Sequence, residues 1–185
     1  WSETNLVDTG TFSAATSDTD GNGLATVTFT TNTHRDKDTE VVATSGSGLS
    51  AKTGQSATIS TTYGSIDHWY VTPVSAVTKV AGQTVAVTAQ AKDSNNNNVD
   101  TASAVTVTWS EMKPDLSGSQ STGSFFDFAD GTTSALTSDT NGTGLAKIKF
   151  TTSTTRDVAT KIKAAGASQT GTSSTVTTTY GAIAR

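Results

Sequence analysis

Cysteine is absent, so no disulfide, thiolate nucleophile or thiolate metal site can form. Proline occurs twice and methionine once, so there are few breaks in a β ladder. Charged residues make up 15% of the 185 positions, and the net charge is −4. With no basic excess, nucleic acid is excluded as a partner. Aromatics are 6% of the chain, and no apolar run is long enough to cross a bilayer, so direct membrane insertion is not expected. No segment repeats apolar residues at helical spacing. What remains is a chain rich in Thr, Ser and Val, in which short alternating runs are separated by polar turns. That pattern predicts an all-β protein of one or two domains.

The strongest feature is a repeat. Ser17-Asp18-Thr19-Asp20-Gly21-Asn22-Gly23-Leu24 leads into Ala25-Thr26-Val27-Thr28-Phe29-Thr30-Thr31. The same pattern returns as Ser138-Asp139-Thr140-Asn141-Gly142-Thr143-Gly144-Leu145, followed by Ala146-Lys147-Ile148-Lys149-Phe150-Thr151-Thr152. Each copy reads as a Gly-rich turn followed by a strand of period two. Ala25, Val27 and Phe29 are expected to face a core, as are Ala146, Ile148 and Phe150, with Lys147 and Lys149 pointing outward. Around this centre, Trp1-Ser2-Glu3 matches Trp109-Ser110-Glu111, and Thr9-Gly10-Thr11-Phe12 matches Thr122-Gly123-Ser124-Phe125. Thr39–Thr44 matches Thr160–Ala165, and Ala57–Tyr63 matches Ser174–Tyr180. The chain is therefore a tandem array of one β module.

Residues 67–99 have no counterpart in the first copy. They hold a predicted first strand, Asp67–Pro73, and a cleanly alternating one, Gln83–Ala91, followed by the polar turn Lys92–Val99. Seven strands are expected in residues 67–183, enough for a sandwich of immunoglobulin type. The expected domains are 1–66, a C-terminal part lacking its first strands, and 67–185, a complete sandwich. Residue 1 falls in mid-module, and the chain is expected to be a piece of a longer array. The gap in 1–66 would expose a sheet edge and part of a core face. It is expected to be filled by strand complementation, from further polypeptide or from a neighbouring subunit.

The complete copy resembles the bacterial Ig-like domains of the invasin/intimin type. The resemblance is carried by Ala81-Gly82-Gln83-Thr84, Ala91-Lys92-Asp93-Ser94-Asn95-Asn96-Asn97-Asn98-Val99, Val105-Thr106-Val107-Thr108-Trp109-Ser110 and the turn and strand at 137–146. It departs from the family in the all-Asn run, where a glycine is usual. It implies tandem immunoglobulin-like β-sandwiches, the first incomplete, on a cell surface or outside the cell. Such domains serve as adhesin stalks, surface-layer components and spacers, with neighbouring repeats or subunits as partners.

Candidate sites are few. Asp18, Asp20 and Asn22 fit the D-x-D-x-N-G start of a calcium loop, although Phe29 stands where an EF-type loop needs its bidentate Glu. The same residues also read as a hairpin turn without metal. The second copy keeps Asp139 and Asn141, and Asp67 with the Asn95–Asn98 turn is a further calcium candidate. Phe126, Asp127 and Phe128 lie in an insertion, 126–133, that the first copy lacks. They could form a carbohydrate- or protein-binding patch, or extend a strand and pack inward. Trp69, Tyr70 and Trp109 read as packing residues. His34 and His68 sit in polar loops without a nucleophile or metal-ligand spacing, so no enzyme is expected. Asn141-Gly142-Thr143 is a glycosylation sequon. An isopeptide crosslink would need a buried Lys beside an acid, and Lys79 and Lys92 read as exposed. The expected function is a structural spacer; the alternative is a binding module using the insertion.

Overall fold

The computed structural model describes residues 1–4, 9–46 and 51–180, and contains no helix among them. The chain divides into two compact units, Trp1–Tyr63 and Gly64–Arg185.

In the first unit the strands are β1 (Ser2–Glu3), β2 (Thr11–Phe12), β3 (Phe29–Thr30), β4 (Lys37–Thr39), β5 (Val41–Thr44), β6 (Thr53–Gln55) and β7 (Ile59–Thr61). They form three small antiparallel groups, β1-β5-β6, β2-β3 and β4-β7.

The second unit holds β8 (His68–Thr72), β9 (Val77–Val80), β10 (Thr84–Lys92), β11 (Thr106–Met112), β12 (Ser124–Phe126), β13 (Thr137–Asp139), β14 (Leu145–Thr151), β15 (Ala159–Gly166), β16 (Gln169–Thr172) and β17 (Val176–Thr179). One sheet runs β12-β14-β10-β8; the other runs β13-β11-β15-β17-β9, with β16 on β15. All pairings are antiparallel except β17 with β9, which run parallel from Val176 opposite Val77 to Thr179 opposite Val80. Ten segments appear where the alternation predicts seven. The additions, β9, β13 and β16, are short pieces whose sequences carry little period-two signal.

The two sheets face each other across one core. β10 contributes Val85, Val87, Ala89 and Ala91, β14 contributes Ala146, Ile148 and Phe150, and β11 and β15 contribute Val107, Trp109, Ile162 and Ala164. Each is under 9% exposed, several are fully buried, and burying a side chain of Val or Ile size contributes about 1.5–3 kcal/mol. Trp69 and Trp109, both 2% exposed, belong to the same core cluster. This is an immunoglobulin-like sandwich, with Trp109 as its central aromatic.

The same motifs build the first unit. Phe12 and Phe29 meet at 4.9 Å between ring centroids, as Phe125 and Phe150 do at 5.1 Å. Trp1 Nε1 donates to Ser17 Oγ at 2.9 Å, and Trp109 Nε1 to Ser138 Oγ at 2.9 Å. At Gly10 and at Gly123 a Cβ would run into the Phe29 or Phe150 ring and the carbonyl of the following threonine. The difference is burial. Ala146, Ile148 and Phe150 are fully buried, whereas Ala25, Val27 and Phe29 are only half-buried. In the second unit β10 pairs along the edge of β14 from Thr84–Thr151 to Gln90–Leu145, which sets Val85, Val87 and Ala89 beside Phe150, Ile148 and Ala146 in the core. The first unit has no strand corresponding to β8, β9 or β10 among its described residues.

Candidate functional site

Three turns share one geometry. Asp20 Oδ1 accepts the backbone N–H of Asn22 and of Leu24, each at 2.9 Å. Asn141 Oδ1 accepts from Thr143 N at 3.1 Å and Leu145 N at 3.0 Å. Asp93 Oδ1 accepts from Asn95 N at 2.9 Å and Asn97 N at 2.8 Å. In each, the backbone N–H of the first residue donates to the carbonyl four positions on, and the N–H three positions on donates back. The residue three positions on has positive φ: 78° at Gly23, 72° at Gly144 and 65° at Asn96. The all-Asn run therefore does what a glycine would, because Asn tolerates the left-handed region.

This geometry bears on the calcium candidates. Asp20 Oδ1 serves its own turn, and backbone donors hold its carboxyl below the ordinary range. Asn141 does the same with a neutral amide, so the position needs an oxygen rather than a charge. Asp18 lies exposed nearby, and no group of three or more His, Cys, Asp or Glu gathers among the described residues. Asp67 pairs with its neighbour, Oδ2 lying 3.0 Å from His68 Nδ1.

Asp93 goes further than the other two. Its Oδ2 accepts from Gly64 N at 2.9 Å and Asn97 Nδ2 at 3.0 Å, and the residue is 2% exposed. Burial pushes the carboxyl up, but the donors from Gly64, Asn97 and Asn95 outweigh it and bring the pKa down to about 2. This carboxylate fixes the first residue of the unit. In Asp93→Asn an NH₂ group would confront either Gly64 N–H or the turn amides. Amide exchange at Gly64 is expected to speed up by about tenfold or more, the loss of one charged hydrogen bond. Unchanged exchange would show that the bond holds nothing.

Glu111 is the second buried acid, at 4% exposed. Its carboxylate accepts from Thr122 N at 2.7 Å, Gly123 N at 2.9 Å, the Thr122 hydroxyl, and Gln120 Nε2 at 3.1 Å. Burial raises its pKa, but the Gly123 amide, the Thr122 hydroxyl and amide, and Gln120 pull harder, so the pKa lies below the ordinary glutamate value. It thus ties the long loop after β11 back onto the sheet. Among the described residues the counterpart Glu3 accepts a 3.4 Å bond from Thr39 Oγ1, and its buried Oε1 has no hydrogen-bond partner there.

Asp127 Oδ1 accepts from Ala129 N at 2.7 Å, and Asp130 Oδ1 from Thr132 N at 2.8 Å and Thr133 N at 3.0 Å. The Thr133 hydroxyl and these amides hold Asp130 at about 2. Phe125 is core, so its neighbour Phe126 on β12 faces outward, half-buried. The Phe128 ring lies under Lys147 Nζ at 5.4 Å and Lys149 Nζ at 5.7 Å. The insertion therefore folds over the outer face of β14, and neither phenylalanine enters the core.

Trp69 packs in the core with Nε1 donating to Gly166 O at 2.9 Å, while Tyr70 is exposed beside Lys92. Lys92 and Lys79 are half-buried rather than exposed, and Lys92 Nζ donates to Asn96 O at 3.0 Å.

No protein-family model matches the chain, and no curated protein matches it significantly. Several solved structures do. The Yersinia pseudotuberculosis adhesin InvE overlaps 96% of this chain and 47% of its own, with 19% identity and a TM-score of 0.44. The surface layer protein SbsC, domains 4–9, overlaps 85% of this chain and 20% of its own, with 14% identity and a TM-score of 0.43. The D0-D1 domain of intimin overlaps 96% of this chain and 80% of its own, with 21% identity and a TM-score of 0.40. The chain thus spans about half the InvE chain. The fold assignment stands on the sheet order and the core, not on these overlaps.

Proposed function

We propose that the chain is a non-enzymatic spacer of an extracellular or cell-surface repeat protein, built to hold position and bear load. The observation that carries this reading is the parallel pair β9–β17. β9 lies near the start of the second unit and β17 near its end. Tension applied at the two ends loads this ladder in shear, so its hydrogen bonds must fail together. Val77 N to Thr175 O at 3.0 Å and Ala81 N to Thr179 O at 2.9 Å bracket it. The buried acids add support: Asp93 and Glu111 spend their carboxylates on tying down loops of their own unit. The binding alternative is weaker, because the lysines of β14 cover Phe128.

Single-molecule pulling tests the proposal. The second unit is expected to unfold in one sharp event, and Ala81→Pro, which deletes one ladder donor away from the core, is expected to lower the force. Equal forces in the two proteins would remove the mechanical reading.

The partners in this reading are other repeats of the same type. The half-buried row Ala25, Val27 and Phe29 matches the strand that β10 flanks in the second unit, so a strand from another repeat is the occupant whose chemistry fits.

A further inference from the structure

The sequence contains two Asn–Gly pairs, Asn22-Gly23 and Asn141-Gly142. In such a pair the glycine amide nitrogen can attack the asparagine side-chain carbonyl, because no side chain on the glycine blocks the approach. The two pairs sit two turn positions apart in equivalent loops, so their surroundings differ in a defined way.

At Asn141 the side-chain oxygen receives three donors: Thr143 N at 3.1 Å, Thr143 Oγ1 at 2.8 Å and Leu145 N at 3.0 Å. The nucleophile, Gly142 N, donates to no acceptor among the described residues, and both residues are exposed to water. At Asn22 the arrangement is reversed. Gly23 N is held by Asp20 O at 2.9 Å, and the Asn22 side chain serves the Asp20 carboxylate.

We propose that Asn141 is a self-modifying position, where the turn promotes conversion of its amide to a carboxylate through a cyclic imide. Gly142 N attacks Cγ of Asn141 and gives its proton to solvent. Negative charge collects on Oδ1, where the three donors stand as they would in an oxyanion hole. Ammonia leaves with Nδ2, the ring closes, and one water opens it to aspartate or isoaspartate. The net reaction consumes water and releases ammonia, and needs no other reagent. The first copy shows that the turn accepts the aspartate product: Asp20 holds the equivalent pair of amides at 2.9 Å each. Opening to aspartate adds one negative charge to a turn that keeps its shape, whereas opening to isoaspartate lengthens the backbone there by one methylene. It also removes the acceptor amide of the Asn141-Gly142-Thr143 sequon.

The intact chain, incubated at mildly alkaline pH and sampled over time, is digested and mapped by mass spectrometry for a one-dalton gain. In the folded protein Asn141 is expected to convert about three- to tenfold faster than Asn22, a modest effect for an exposed set of donors. In denaturant the two rates are expected to converge. Thr143→Ala, which removes one donor, is expected to slow Asn141 alone while leaving the melting temperature within about 1 °C, as for a surface change. Asn141→Asp is expected to melt with the parent. Equal or slower conversion at Asn141 than at Asn22 in the folded chain would overturn the proposal. So would an Asn141 rate that rises on unfolding, an unaltered rate in Thr143→Ala, or a destabilised Asn141→Asp.

Discussion

Glu111→Ala is expected to lower the melting temperature of the second unit by about 10–15 °C, corresponding to a loss of at least about 3 kcal/mol. The carboxylate is 4% exposed and receives Thr122 N, Gly123 N, the Thr122 hydroxyl and Gln120 Nε2. Removing it strands several donors where water does not readily reach, and each costs more than the bond was worth in net terms. Glu111→Gln keeps the volume and one oxygen but turns an NH₂ toward the amides, so a loss about half as large is expected. The pH dependence identifies the cause. Glu111 ionises more readily when folded than its ordinary value of 4.5, and Asp93 falls from 3.8 to about 2. A depressed carboxylate contributes stability that is present above its unfolded pKa and is lost as pH falls through its folded one. The second unit should therefore hold its stability above about pH 4.5 and lose it progressively toward pH 2. Glu111→Gln should flatten the upper part of that loss. Thermal melts of the parent and both variants between pH 2 and 7 check this. A Glu111→Ala protein that melts with the parent would mean that the loop does not depend on this carboxylate.

Both acids could be read from the sequence in retrospect. Val107, Trp109 and Glu111 share one face of β11, and Val85, Val87, Ala89, Ala91 and Asp93 continue one row along β10. An acid at the end of an inward-pointing row must find donors or unfold the sheet, and period two alone marks it. The core strands were legible for the same reason. The short pieces β9, β13 and β16 were not, because three or four residues at a sheet edge carry no alternation. The turn at Asp18–Gly23 supports two readings from sequence alone. A calcium loop and an Asx-locked hairpin both need oxygen-bearing side chains at alternate positions together with glycine. The structure adds that Asp20 Oδ1 points toward its own amides and so serves the turn. The Phe126–Thr133 insertion was located by the repeat, but the side it covers depends on Lys147 and Lys149, which no local pattern links to Phe128.

A peptide spanning residues 67–99, the stretch that supplies β8, β9 and β10, is expected to slow amide exchange across residues 24–31 of the first unit by about 100-fold at saturation. The second unit shows the pairing to be copied: β10 runs antiparallel to β14, and Val85, Val87 and Ala89 stand opposite Phe150, Ile148 and Ala146. The first unit presents Phe29, Val27 and Ala25 in that register, half-buried. Covering Phe29 and Val27 contributes about 1 kcal/mol or more per side chain. A new ladder satisfies the edge amides as well, and ordering the peptide offsets part of the gain. Before the peptide is added, the first unit should melt separately and well below the second, since it lacks the strands that close the core. Exchange across 145–151 should not respond, because β10 already occupies that edge. A peptide with Val85→Asp and Val87→Asp is the control: its backbone can still pair, but its charges would be buried against Phe29 and Val27. Equal protection by both peptides would reduce the effect to edge pairing without core completion. No protection by either would mean that the half-buried row is the finished surface of this unit, and the strand-sharing link between repeats would fall with it.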